Sequence, residues 1–179
     1  MSDDDGESRA PIEGRYELAQ VNIMRLKAPL DSDQLQPFVA ALDPVNALAE
    51  QAPGFVWRLE SDEGNATAFR IFGDDTLVVN MSTWTSVEAL HDYVYRTAHV
   101  EILRRRREFA VPTPAGEVAV AMWWVPAGHR PTVKEAEERL RHLRAHGPTP
   151  FAFTGRSPFP PAPSAPAPIV RDDDTCRVS

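Results

Sequence analysis

The chain has 179 residues, 42% of them hydrophobic, which suits one domain with a real core. Its formal charge of −7 and pI near 5.2 argue against an electrostatic nucleic-acid binder. No apolar stretch approaches the length of about 20 residues that a membrane span needs, and no secretory signal is evident. The single cysteine, Cys176, cannot form an internal disulfide, so a reducing, cytoplasmic setting is expected.

Residues 1–12 are acidic and lack apolar anchors, so this end is expected to be disordered. Tyr16 to Met24 alternates as a strand, with Ala19, Val21 and Ile23 on one face and Gln20 and Asn22 on the other. Leu35, Phe38, Val39 and Leu42 follow at helical spacing. Asp43-Pro44 is expected to interrupt that helix and start a second, short one. Pro53-Gly54 stops it, and Phe55 to Leu59 is a strand. The connection through Gly64-Asn65 holds a glycosylation sequon, which has no use without export. Ala68 to Phe72 reads as an irregular strand, and Leu77 to Trp84 as a regular one.

Thr85 and Glu88 have capping-box spacing, and one long helix is expected after them, with an apolar stripe of Val87, Leu90, Val94, Ala98 and Ile102. Val118 to Val125 is the next strand. A second capping box, Thr132 with Glu135, opens the last helix, and Gly147-Pro148 closes it. A short strand near Phe151 to Thr154 completes the predicted domain, residues 13–157. Residues 158–179 are rich in proline and alanine and then acidic, so an extended tail is expected. The last four residues loosely fit a prenylation box, but Asp172-Asp173-Asp174 before them is the wrong charge to assist anchoring.

The order strand, helix, strand, strand, helix, strand is the split βαβ pattern of an α+β, ferredoxin-like sandwich. Val118-Ala119-Val120-Ala121-Met122-Trp123-Trp124-Val125 is apolar on both faces, so both should be buried. With no second helical layer evident, a second copy of the chain is the expected cover, forming a dimeric α/β barrel.

The remaining strand face carries Gln20, Asn22, Asn80, Ser82 and Trp84, with Arg58 joining from the second strand. Polar groups converging beside aromatic walls describe a cavity for a small-molecule ligand; the bland alternative is that they bond one another. On the long helix His91, Tyr95, His99 and Leu103 recur every fourth residue and share a stripe. A histidine there serves as acid, base or ligand, although a satisfied structural role is the commoner outcome. No zinc spacing, phosphate-cradling glycine loop or nucleophile elbow is present, so no metal is expected. Arg104-Arg105-Arg106-Arg107 is read as a solvated helix end that complements the dipole.

Several stretches together resemble a bacterial family known only as a domain of unknown function. They include Leu42-Asp43-Pro44-Val45-Asn46, Pro53-Gly54-Phe55-Val56-Trp57-Arg58, Tyr95-Arg96-Thr97-Ala98-His99 and Trp123-Trp124-Val125-Pro126-Ala127-Gly128-His129. That family is similar to the dimeric α/β-barrel group, which includes antibiotic-biosynthesis and haem-degrading monooxygenases. The resemblance implies a homodimer and a catalytic set of His99, Asn22 and Trp84. Tyr95, Arg58, Asn80, Ser82 and Trp124 are then the substrate-binding candidates.

Three functions follow as expectations. The first is a monooxygenase-like enzyme acting on an aromatic or polyketide-like molecule without a bound cofactor. The second is a haem-binding or haem-degrading protein with His99 as axial ligand. The third is a non-catalytic dimer that binds a small ligand.

Overall fold

The computed structural model describes residues 16–60, 69–74 and 76–161. The elements run β1 (Tyr16–Arg25), α1 (Gln36–Glu50), β2 (Phe55–Arg58), β3 (Leu77–Trp84), α2 (Val87–Arg96), α3 (His99–Phe109), β4 (Val120–Pro126) and α4 (Val133–His146). The strands form one antiparallel sheet in the order β2-β3-β1-β4. This is the ferredoxin-like arrangement read from the sequence, with β1 and β3 at its centre. The N-terminal tail, the sequon at Asn65, the tail beyond residue 161 and Cys176 lie outside the described residues.

Register assigns every strand residue to a face. Ala19, Val21 and Ile23 of β1 share one face with Val79 and Met81 of β3 and with Ala121, Trp123 and Val125 of β4. Helix α4 covers this face with Ala136, Leu140 and Leu143, spaced four and three apart. Trp123 is fully buried there, and its indole N–H donates to Glu135 Oε1 at 2.9 Å. The missing second layer is therefore α4 itself, and the two-sided apolarity of β4 needs no second copy to explain it. The highly charged sequence of α4 carries only a narrow apolar stripe, which conceals its place in the core.

Leu18, Gln20, Asn22 and Met24 point to the other face, beneath α1, α2 and α3. Two apolar clusters close its ends. Leu18 and Trp84 pack with Ala49, Leu90, Tyr93 and Phe153 at one end. At the other, Leu35, Phe38, Phe109 and Ala110 pack with Met24 and Leu26, with Phe38 stacked on Phe109 at 4.7 Å.

Four local expectations need correction. Helix α1 runs through Pro44 without a break. A mid-helix proline costs about 3 kcal/mol or more, but Phe38 on one side of it and Ala49 on the other are both buried and hold the two halves in line. The cap of α2 is Ser86, whose hydroxyl accepts from Ala89 N–H at 3.1 Å, and not Thr85. Between 69 and 74 there is only a single bridge, Ile71 to Asp74. The long helix is two helices, split at Thr97 and Ala98.

The C-terminal end of the fold is pinned to β4. Met122 and Phe153 exchange backbone hydrogen bonds of 2.8 and 2.9 Å. Farther on, Phe159 packs near Phe153, with ring centroids 6.0 Å apart, and its carbonyl accepts from Trp124 Nε1 at 2.7 Å.

Candidate functional site

The polar face of the sheet is built in rows. Arg58, Ser82, Gln20 and Met122 stand opposite one another across the strands, as do Asn80, Asn22 and Val120 in the next row. The row beyond carries Trp84, Leu18 and Trp124. The strands thus bring Asn22, Arg58, Asn80, Ser82, Trp84 and Trp124 onto one face.

The inner members satisfy each other. Trp84 Nε1 donates to Ser82 Oγ at 2.8 Å, and the Ser82 hydroxyl donates to Gln20 Oε1 at 3.2 Å. All three residues are buried, so this network is a neutral hydrogen-bonded floor. Arg58 is held by Glu50 at 2.7 Å and by Glu60 at 3.1 Å. The Trp124 donor is spent on Phe159. Asn22 is half-buried and Asn80 exposed.

His99 approaches Tyr93 through the break in the helix. Thr97 adopts extended backbone, its hydroxyl donates to the Tyr93 carbonyl at 2.6 Å, and the same oxygen accepts from His99 N–H at 3.2 Å. One side chain therefore ends α2 and starts α3, as β-branched hydroxyls do when they compete with helix bonds. The turn brings the His99 ring to 4.9 Å from Tyr93, which in turn stacks on Trp84 at 5.1 Å. Phe55 meets the Trp84 ring edge-on at 5.4 Å.

Tyr95 does not belong to this group. An unbroken helix would have put Tyr95 and His99 on one stripe; after the break Tyr95 is 59% exposed and pairs with His91 on the surface. Tyr93 takes its place. It is 8% exposed, and its phenol donates to the Val45 carbonyl at 3.2 Å. Its spacing of three from Leu90 placed it beside the apolar stripe, and that was the signal available in the sequence.

Electrostatics separate the two rings. Burial pushes the Tyr93 phenol up to about 12, so it stays protonated. Burial also pulls the His99 imidazole below its ordinary value, against a partial opposing effect of the Val94 carbonyl 3.4 Å from Nδ1. Burial thus favours the uncharged imidazole, and if Nδ1 carries the proton toward the Val94 carbonyl, Nε2 is the nitrogen that can act as a base. Among the described residues no group of three or more His, Cys, Asp or Glu side chains is placed to hold a metal ion.

Outside Tyr93 lies an open cleft of about 690 Å³ between the end of α1 and the flank of α2. Tyr93, Thr97 and Ala98 line it, whereas His99 does not.

The family profile described as a domain of unknown function (DUF3291) matches residues 17–167. The chain belongs to that family. Among solved structures, this DUF3291 chain is similar to SnoaB of Streptomyces nogalater, a cofactor-independent oxygenase, at 16% identity. The match covers 64% of this chain and 95% of that one, with a TM-score of 0.42. A Pseudomonas aeruginosa protein matches at 14% identity over 62% and 92% of the two chains, with a TM-score of 0.41. A protein of unknown function from Nitrosomonas europaea matches at 11% identity over 66% and 96%, also with a TM-score of 0.41. No curated protein matches the chain. No helix among the described residues is long and apolar enough to cross a membrane.

Proposed function

We propose that the chain is a monooxygenase-like enzyme that acts, without a bound cofactor, on an aromatic or polyketide-like small molecule. The observation that carries this reading is the half-buried His99 imidazole, packed on Tyr93, which itself stacks on Trp84, with no carboxylate in the described contacts of His99. The motif resemblance supplies the reaction class. In this scheme Nε2 of His99 removes a proton from a phenol or an activated ring CH2. The substrate anion then reduces O2. Two C–H bonds of the CH2 give way to one C=O, its four electrons reduce the oxygen, and the second oxygen atom leaves as water.

Asn22 and Asn80 orient the polar groups of the substrate, while Trp84 and Ser82 form the floor. Trp124 and Arg58 keep their partners within the chain and serve as walls. Pairing with a second copy belongs to the same reading and rests on the resemblance; light scattering at micromolar concentration should return a dimer mass.

A haem with His99 as axial ligand is the second expectation, and no described observation favours it over the enzyme. The imidazole is packed against Tyr93 at 4.9 Å, and the cleft that Tyr93 lines does not include His99. A Soret band that appears with added haemin and disappears in His99→Ala would reverse this conclusion.

Oxygen uptake tests the enzyme. Purified protein mixed with hydroxylated naphthalenes and related phenols should consume O2, and His99→Gln should slow it about 100-fold or more. Uptake that ignores His99→Gln, or no uptake on any phenol, would leave a non-catalytic ligand binder as the better account.

A further inference from the structure

We propose that the cleft between α1 and α2 is a binding site for a planar aromatic carboxylate. Its volume of about 690 Å³ falls within the range of small-ligand sites, about 300–1,000 Å³. Its lining combines two kinds of chemistry. Where Gly54 lines it, the backbone has φ +82, and a Cβ there would stand 2.5 Å from Thr85 Oγ1 and 2.6 Å from Ala89 Cβ. The 53–54 turn is therefore pressed onto the first turn of α2, and only glycine permits it. Ala52, Pro53, Ala89 and Ala98 make the walls small and apolar, as an aromatic ring requires.

The lining also carries Arg96 and Asp92, joined at 3.3 Å. This pair is weakly committed. Arg96 is 73% exposed and Asp92 53%, and an exposed i,i+4 pair contributes little. Asp92 also has His91 at 3.7 Å as an alternative partner. A ligand carboxylate placed beside Arg96 can take both guanidinium N–H groups, a stronger arrangement than the one it replaces. The competing ligand is an aryl amine held by Asp92 and the α1 carbonyls, since no basic residue occupies the last turn of α1. The carboxylate is favoured because the planar fork of Arg96 gives two directed bonds and Asp92 can move aside.

The inference touches the proposed enzyme through Tyr93, which lines the cleft and contacts His99. Titrations of the full chain with 2-naphthoate and with 2-naphthylmethylamine, followed by amide NMR shifts, test it. Naphthoate should shift Leu48, Gly54, Ala89 and Thr97 saturably, and Arg96→Gln should weaken it about tenfold, the loss of one charge-assisted contact. Arg96 is exposed enough for this variant to fold. Tighter binding of the amine, absence of saturable shifts, or indifference to Arg96→Gln would each overturn the proposal. His99→Gln should leave naphthoate binding intact. Binding without His99-dependent oxygen uptake then defeats the enzyme reading alone, and uptake without cleft shifts defeats this one alone.

Discussion

Each face of the sheet buries a tryptophan whose indole N–H finds a partner, and the two partners differ in charge. Under α4, Trp123 donates to the Glu135 carboxylate, which also meets His129 at 2.9 Å and lies 3.7 Å from Arg139. Under α1 to α3, Trp84 donates to a serine hydroxyl and stacks on Tyr93, with His99 beyond. The first set is ionic and opens to water at His129, 43% exposed, so its charges are solvated and it acts as a clamp between α4 and the sheet. The second set is neutral, and its histidine has lost solvent without gaining a described counter-charge. In the second set burial favours the uncharged form of the imidazole, which is the state a base requires.

The largest expected effect separates the two faces directly. Trp123→Ala should destabilise the chain by about 3–5 kcal/mol in guanidinium unfolding, as large-to-small changes at a fully buried aromatic do. It should leave the NMR signals of the His99 ring nearly in place, because the sheet stands between them. Equal disturbance of His99 by Trp123→Ala and Trp84→Ala would show that the faces are not independent. Next in size is Ser82→Ala, which strands the Trp84 N–H and unpairs Gln20 in a site closed to water. A cost of about 1–3 kcal/mol is expected. Glu135→Gln keeps an acceptor for Trp123 and should cost less, by the same unfolding measurement.

Strand faces were legible in the sequence because a period of two leaves no ambiguity once one face is apolar. Ala19, Val21 and Ile23 fell opposite Gln20 and Asn22 in the pattern as in the fold. What the pattern could not supply was cover. Only Ala136, Leu140 and Leu143 mark the buried stripe of α4, and a stripe does not say which sheet face it meets. The polar floor was visible as a set of residues, but its internal bonding depends on side-chain angles that no spacing encodes. Tyr93 and Tyr95 show the limit most plainly. Helical periodicity runs on through Thr97, and nothing in it announces that a threonine hydroxyl bonded to the Tyr93 carbonyl will end the helix. That one bond rotates His99 from the exposed tyrosine to the buried one.

The smallest expected effect is a slope with pH, and it tests whether His99 is held uncharged. Unfolded, the imidazole titrates near its ordinary value of 6.5; burial places the folded value lower. Between those values the unfolded chain binds more protons than the folded one, so stability falls as pH drops below about 6.5 and recovers as pH rises. The slope ends once the pH is below the folded value. His142 adds a slope of the same sign, since burial, His146 and Arg139 lower its value too. The lowered carboxylates, Asp74 at about 2 with Glu88, Glu108 and Glu137, lose their contribution only as the pH falls through their ordinary range below 4.5. Unfolding midpoints at pH 7, 6 and 5 therefore isolate the histidines. His99→Asn should flatten the profile in that window, leaving the His142 part. An unchanged profile would mean that His99 is solvated in the folded chain, and the contrast between the clamp and the neutral face would lose its basis.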